Sequence, residues 1–140
     1  MDVAFRRIAR GQTMTDKIKI SNLYKVFGKN PSGAMDHVRK GASKQELLDN
    51  HGHVLGLRDI NIDIPERQIQ VIMGLSGSGK STLIRHINRL IEPTEGQVVV
   101  DGVDVLQMSA DDLREFRRHK QSMVFQNCLL YTSDAADEDL

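Results

Sequence analysis

The sequence predicts an α/β domain: a small antiparallel β unit joined to a core in which a buried strand runs through a glycine-rich loop into a helix. Three observations predict it. An apolar run at residues 69–73 leads directly into GLSGSGKST at residues 74–82, and apolar residues then recur at helical spacing as far as Ile91. Two strand-like stretches, residues 17–23 and 57–64, precede that loop. The dipeptide Asp101-Gly102 separates two further strand-like runs and suits a tight hairpin turn.

Bulk properties set the frame. A chain of 140 residues with 39% apolar residues is the size of one ordinary domain and can bury a core. Nineteen basic residues balance nineteen acidic ones, so no net positive field points to nucleic acid as a partner. No stretch approaches the roughly 20 consecutive apolar residues of a membrane span. Residues 1–13 carry three arginines with no apolar run behind them, unlike a secretory signal. A single cysteine, Cys128, excludes an intramolecular disulfide and fits a reducing cytoplasm.

Along the chain, residues 1–16 read as an extension outside the fold, with Met14 as the expected natural start. Residues 17–23 form a first strand with Ile18 and Ile20 on one face, and the YKVFG segment runs on to Gly28. Residues 29–54 are too long for a hairpin loop and too polar for core, and read as an inserted helical segment. Its first helix spans residues 32–40 and stops at Gly41, and its second opens at Ser43 with Glu46 at capping-box spacing. Residues 57–64 are a strand whose Leu57, Ile60, Ile62 and Ile64 fall mostly on one face. Residues 69–73, short, apolar and bounded by glycine, suit a strand buried on both faces of a parallel sheet. The helix after Gly79 uses Leu83, Ile84, Ile87, Leu90 and Ile91 and is stopped by Pro93. The hairpin follows at residues 97–100 and 103–106. A helix over residues 110–119 then starts after Ser109, with Asp111 and Asp112 at its positive end and Arg117 and Arg118 at its negative end. Residues 122–125 form one more short strand, and there are no internal repeats.

GLSGSGKST fits the phosphate-loop pattern G-x-x-x-x-G-K-[ST]. Its chemistry needs those residue types. Glycines permit backbone torsions that turn successive N–H groups towards phosphate oxygens, and they leave no Cβ in the way. The helix opening at Gly79 adds the positive end of its dipole. Gly74, Leu75, Ser76, Gly77, Ser78 and Gly79 then form the cradle, and Lys80 reaches the β- and γ-phosphates. The Ser81 hydroxyl coordinates Mg²⁺, and Thr82 adds a hydroxyl at the α-phosphate. ATP with Mg²⁺ is the expected ligand.

The order of elements around the loop narrows the class. Antiparallel strands, loop, helix, the EPTEGQVVVDGVDV hairpin, an acidic-to-basic helix and a segment ending in VFQ together resemble the ATP-binding subunit of ABC transporters. KIKISNLYKVFG, the helical insertion and VIMGLSGSGKSTLIRHINRLIEPTEGQVVVDGVDV are similar to the glycine betaine/proline (quaternary amine) uptake group. The insertion discriminates, because most ABC importers join those strands by a short loop. The resemblance covers residues 17–127, read as a partial ABC ATPase domain carrying its insertion at residues 29–54.

What this resemblance implies goes beyond the loop. Phe27 matches the aromatic residue that stacks on adenine, a contact that supplies affinity with little base specificity. Gln126 matches the glutamine that touches Mg²⁺ and the attacking water. Lys80 and Gln126 are thus the expected catalytic residues, and Ser81 and Gln126 the metal ligands. The implied protein is a cytoplasmic ATPase, peripheral on the inner face of the plasma membrane. It works as a homodimer on membrane permease subunits without touching the transported osmoprotectant. Two other readings use the same loop: a small-molecule kinase, and a nucleotide-binding module without turnover. A kinase needs an acceptor-site base and a basic lid after the loop helix, where this chain has the Asp-Gly hairpin and VFQ.

Simpler readings suffice elsewhere. His51 and His53 are loop histidines without a third ligand, and adjacent Asp111 and Asp112 diverge on a helix. Arg117 to Lys120 is a solvated helix end, and Asp101 and Asp104 belong to a turn. The family's LSGGQ-type signature, magnesium-associated aspartate, catalytic glutamate and switch histidine are expected downstream of the glutamine and do not occur here. Residues 128–138, CLLYTSDAADE, resemble the translation of a transposon adapter used in sequencing libraries. Residues 128–140 are therefore expected to be a non-native tail on a fragment, and Cys128 to carry no functional weight. Such a fragment is expected to expose an unpaired sheet edge, to be poorly soluble, to bind ATP weakly and not to turn it over.

Overall fold

A computed structural model describes residues 15–124. Residues 1–14 and 125–140, and with them Gln126, Cys128, most of the extension and the tail, lie outside the described residues. The chain divides into two compact units, one ending at Met108 and one beginning at Ser109.

The first unit is built on a four-stranded sheet of order β2-β1-β3-β4, antiparallel throughout: β1 (Asp16–Phe27), β2 (Val54–Pro65), β3 (Glu95–Val100) and β4 (Val103–Asp104). Simple alternation does not run the length of β1. Ile20, Leu23 and Val26 are all buried, three residues apart, because bulges interrupt its pairing around Asn22 and again between Leu23 and Val26. Asn22 takes a left-handed φ of 47°, and its amide donates to Asn61 Oδ1 at 2.8 Å. Asp59, at φ 46°, does the same service in β2, which is why Leu57 and Ile62 are buried while Ile60 is only half-buried.

Between β1 and β2 the chain forms two helices, α1 (Pro31–Arg39) and α2 (Lys44–His51). Pro31 stands at the start of α1, and Asn30 caps it by accepting from the Gly33 amide at 3.1 Å. In α2 the capping box anticipated from Ser43 and Glu46 is formed in both directions. Ala34, Met35, Val38 and Leu47 pack with Val26 and Leu55 into one buried cluster, with Tyr24 against it. Each fully buried side chain of this size is worth about 1.5–3 kcal/mol, enough to hold a polar insertion to the sheet. Arg39 pairs with Glu95 of β3, and Arg58 of β2 donates to the Ala42 carbonyl.

Three expectations are corrected. Residues 69–73 form no strand, and Ile69 is 94% exposed. A strand exists only by pairing, and among the described residues every strand belongs to the antiparallel sheet, which does not extend to this segment. The loop helix, α3 (Lys80–Ile87), stops well short of Pro93. Arg89 turns to φ 53°, and its guanidinium donates to the carbonyls of Met108 (2.9 Å) and Val105 (3.3 Å), so tertiary contacts end the helix first. Residues 122–124 form no strand either. The hairpin is as expected through Asp101-Gly102, but β4 gives way after two residues to a 3₁₀ turn, Val105–Gln107, capped by Asp104.

The second unit contributes α4 (Ala110–Lys120). Ser109 caps it at the Asp112 amide, 3.2 Å away, and its hydroxyl also donates to the Asp112 carboxylate at 2.7 Å. The two aspartates thus serve the helix start, as expected.

Candidate phosphate-binding site

The loop at residues 74–79 curls ahead of α3 with two left-handed glycines, Gly77 at φ 79° and Gly79 at φ 95°. Ser78 closes it by donating its amide to the Leu75 carbonyl at 3.1 Å. Lys80 folds back inside: its ammonium donates to the carbonyls of Gly74 (2.6 Å) and Leu75 (2.7 Å) and to Ser78 Oγ (3.3 Å). A cation is thereby fixed at the mouth of the loop. A Cβ on Gly74 would fall 2.6 Å from Ser78 Oγ, whereas one on Gly77 would meet open space.

Gly79 also supplies the first carbonyl of α3, accepting from Leu83 at 2.9 Å. No side chain caps α3, so the amides of its first turn keep their capacity to bind an anion. Ser81 is exposed there and Thr82 half-buried. Leu83 and His86, both buried, seat the helix. A cavity of about 220 Å³ opens beside the loop, lined by Ser78, Gly79 and Lys80, by the cationic Lys44 and Arg58, and by Leu55, Leu57, Ile60, Ile72 and Leu83.

Phe27 ends β1 with its ring 40% exposed, while Tyr24 is half-buried and Phe116 buried. The Lys25 ammonium lies 5.0 Å from the ring centroid and donates to the Glu92 carbonyl at 2.7 Å. Thr94 ties the same strand end down, accepting from the Val26 amide at 2.9 Å through its hydroxyl and donating its own amide to Tyr24 at 2.9 Å. Gly28 follows at φ 151°, where a Cβ would run into the His53 ring.

His53 is occupied with local structure. Its Nε2 accepts from the Asn30 amide at 3.2 Å, and its Nδ1 meets the His51 carbonyl. His51 stacks on His37 with ring centroids 3.7 Å apart. Among the described residues no cluster of three or more His, Cys, Asp or Glu is arranged to hold a metal.

The structure thus brings Gly74 through Thr82 into one site and sets Phe27 close by, while Gln126 lies outside the described residues. The sequence reading passed over Gly56, which touches both parts of the site. A Cβ there would come within 2.8 Å of Phe27 Cε2, and its carbonyl lies 2.9 Å from where a Gly79 Cβ would be. The one available signal was a glycine inside an otherwise β-like run, a mark of close backbone approach.

Comparison with known proteins places the chain. The family model described as ABC transporter matches residues 57–138. The glycine betaine/proline betaine transport system ATP-binding protein ProV of Salmonella typhimurium is 52% identical over 117 residues, covering 84% of this chain and 29% of that protein. The glycine betaine transport ATP-binding protein OpuAA of Bacillus subtilis is 47% identical over 115 residues, or 82% of this chain and 28% of OpuAA. The chain therefore spans a little under a third of the length of these relatives. Among solved structures, a dimeric bacterial ABC transporter cassette aligns with a TM-score of 0.60 at 31% identity, covering 79% of this chain and 39% of the cassette. A post-hydrolysis dimer bound to ADP and Pi aligns at 0.58, also at 31% identity, covering 78% of this chain and 38% of that one.

Proposed function

The chain belongs to the ABC transporter family, and from that premise we propose that it holds the phosphates of ATP with Mg²⁺ as part of an ATPase subunit driving import of quaternary-amine osmoprotectants. The observation that carries the binding reading is the loop itself. Left-handed Gly77 and Gly79, the inward Lys80 ammonium and the uncapped start of α3 give anion-binding chemistry at one point.

These residues fit the ligand by their donor set. Lys80 and the loop amides offer only positive or donor groups to the phosphates, and the exposed Ser81 hydroxyl offers oxygen to a hard cation. Mg²⁺ held there would supply positive charge to neutralise the phosphates. Phe27 presents an exposed face for the base. Gln126, by its match to the family pattern, is assigned to Mg²⁺ and the attacking water. The partial cassette is assigned to residues 17–127, with the insertion at residues 29–54.

The wider assignment follows the relatives. Both quoted transport proteins are named for glycine betaine, and the helical insertion that the resemblance assigns to that group corresponds here to α1 and α2. The dimeric cassettes support a second ATP-binding subunit as partner. Among the described residues no helix is long and apolar enough to cross a membrane. By resemblance, the subunit is assigned to permease proteins at the inner face, out of contact with the transported amine.

Calorimetric titration of the full chain with MgATP tests the first step. Lys80→Ala should abolish measurable binding, and Ser81→Ala should remove the benefit of Mg²⁺. Parent protein that ignores ATP, or Lys80→Ala protein that binds as the parent does, would overturn the reading. The transport step is tested by replacing the matching 117 residues of ProV with this segment and measuring glycine betaine uptake in cells lacking ProV. A folded chimera that binds ATP yet restores uptake of no quaternary amine would refute it.

A further inference from the structure

We propose that Gly56 is a positioning residue of the nucleotide site: its missing side chain seats the Phe27 ring, and its carbonyl seats the phosphate loop. The proposal rests on the nucleotide reading above and adds a residue to it.

The geometry is two-sided. On one side, a Cβ built on Gly56 falls 2.8 Å from Phe27 Cε2, closer than two carbons approach, so the ring lies where an alanine methyl would be. The next neighbour, the Lys25 carbonyl, is 3.4 Å from that Cβ, an ordinary contact. Gly56 is not among the glycines with left-handed torsions. Alanine therefore suits the backbone at this position, and only the ring has to move. On the other side, Gly79 sits at φ 95° with its own Cβ position 2.9 Å from the Gly56 carbonyl and 3.1 Å from Leu57 Cδ2. There the obstacle is backbone, which has nowhere to go. The loop and the ring thus rest on two different groups of one residue in β2, its carbonyl and its bare Cα.

Lys25 completes the seat. Its ammonium, 5.0 Å from the ring centroid, is anchored by the Glu92 carbonyl. With the methyl-sized gap at Gly56 beneath and the anchored cation nearby, the ring is held at the strand end and not left to swing. A base stacked on it would be registered against phosphates gripped by the loop, because both elements are referred to the same glycine.

The test separates base from phosphate. The full chain is titrated with MgATP and with magnesium tripolyphosphate, which has the phosphates and no base. Gly56→Ala should weaken MgATP by about five- to a hundredfold, the range of lost base stacking, and leave tripolyphosphate unchanged. Phe27→Ala should show a similar loss, and the double variant should be no weaker than Phe27→Ala alone. Gly79→Ala should weaken both ligands. Gly56→Ala protein that binds MgATP like the parent would overturn the proposal. So would a parallel loss of both ligands, which marks general damage, or losses that add in the double variant. Parent protein that binds neither ligand would overturn the nucleotide reading itself and this proposal with it. Parent protein that binds both, with Phe27→Ala unaffected, would overturn this proposal and leave the phosphate reading standing.

Discussion

At the scale of single residues, His86 shows how the site's scaffold carries a cost. It is fully buried in α3, with Nδ1 2.6 Å from the Thr82 carbonyl. A carbonyl only accepts, so Nδ1 carries the proton and Nε2 is left as a buried acceptor with no hydrogen-bond partner. Burial holds the imidazole pKa below its ordinary value, and the Lys25 ammonium adds to this, against the Thr82 carbonyl and the Glu92 backbone. Above about pH 6.5 the group is neutral both folded and unfolded. As pH falls below that, the unfolded chain takes up a proton that the folded chain refuses, so stability drops until the lower folded pKa is passed. His86→Leu should raise stability by about 1 kcal/mol, since it removes an unsatisfied polar atom. It should also flatten the pH dependence below pH 6.5. Denaturant melts at neutral and mildly acid pH check both, and a variant as acid-sensitive as the parent would refute the assignment. His86 and Gly56 share a lesson. His86 breaks no visible pattern, and Gly56 offers only the weak signal of a glycine within a strand, so their roles emerge only once neighbours are in place. The curl of the loop ahead of α3 was readable because its glycine spacing leaves the backbone few alternatives.

At the scale of elements, what could be read was whatever is locally determined. The capping box of α2 needs only Ser43 and Glu46 three places apart, and both of its hydrogen bonds formed. The Asp-Gly turn joined β3 to β4 because those residues accept left-handed torsions, here φ 51° and 76°. Bulges at Asn22 and Asp59 were hidden, since a bulge depends on the partner strand. The end of α3 was hidden too, because Arg89 is drawn off by carbonyls 16 and 19 residues away. The local logic of α2 yields its own prediction. The Glu46 carboxyl is held below its ordinary pKa by the Ser43 backbone amide first and the Ser43 side chain second. A depressed carboxyl gives its full contribution above the ordinary value near 4.5, and loses it as pH falls through the folded value. The protection of the α2 amides, with exchange measured relative to intrinsic rates, should therefore fall below about pH 4.5, where the unfolded-state carboxyl begins to titrate. Glu46→Gln keeps an acceptor that does not titrate, so its protection should not respond there. Ser43→Ala should destabilise the helix by about 1 kcal/mol at neutral pH.

At the scale of the whole molecule, the decisive fact is the segment at residues 69–75. It has the composition of a strand buried on both faces, yet Ile69, Val71, Met73 and Leu75 are 94%, 65%, 73% and 63% exposed. Exposed apolar side chains of this kind, on a segment that joins no strand of the sheet, favour intermolecular association that buries apolar area. A formal net charge of zero offers no electrostatic repulsion to oppose it. The chain should therefore self-associate with rising concentration. Ile69→Lys combined with Val71→Lys should shift it towards monomer, since a lysine in such a run both repels and resists burial. Sedimentation velocity over a concentration series gives the answer directly. The same variant should leave the affinity for tripolyphosphate intact, because residues 69 and 71 precede the loop and make none of the contacts that shape it. Parent protein that stays monomeric at every concentration and melts in one cooperative step would refute the prediction. It would also mean that the exposed run is tolerated as it stands.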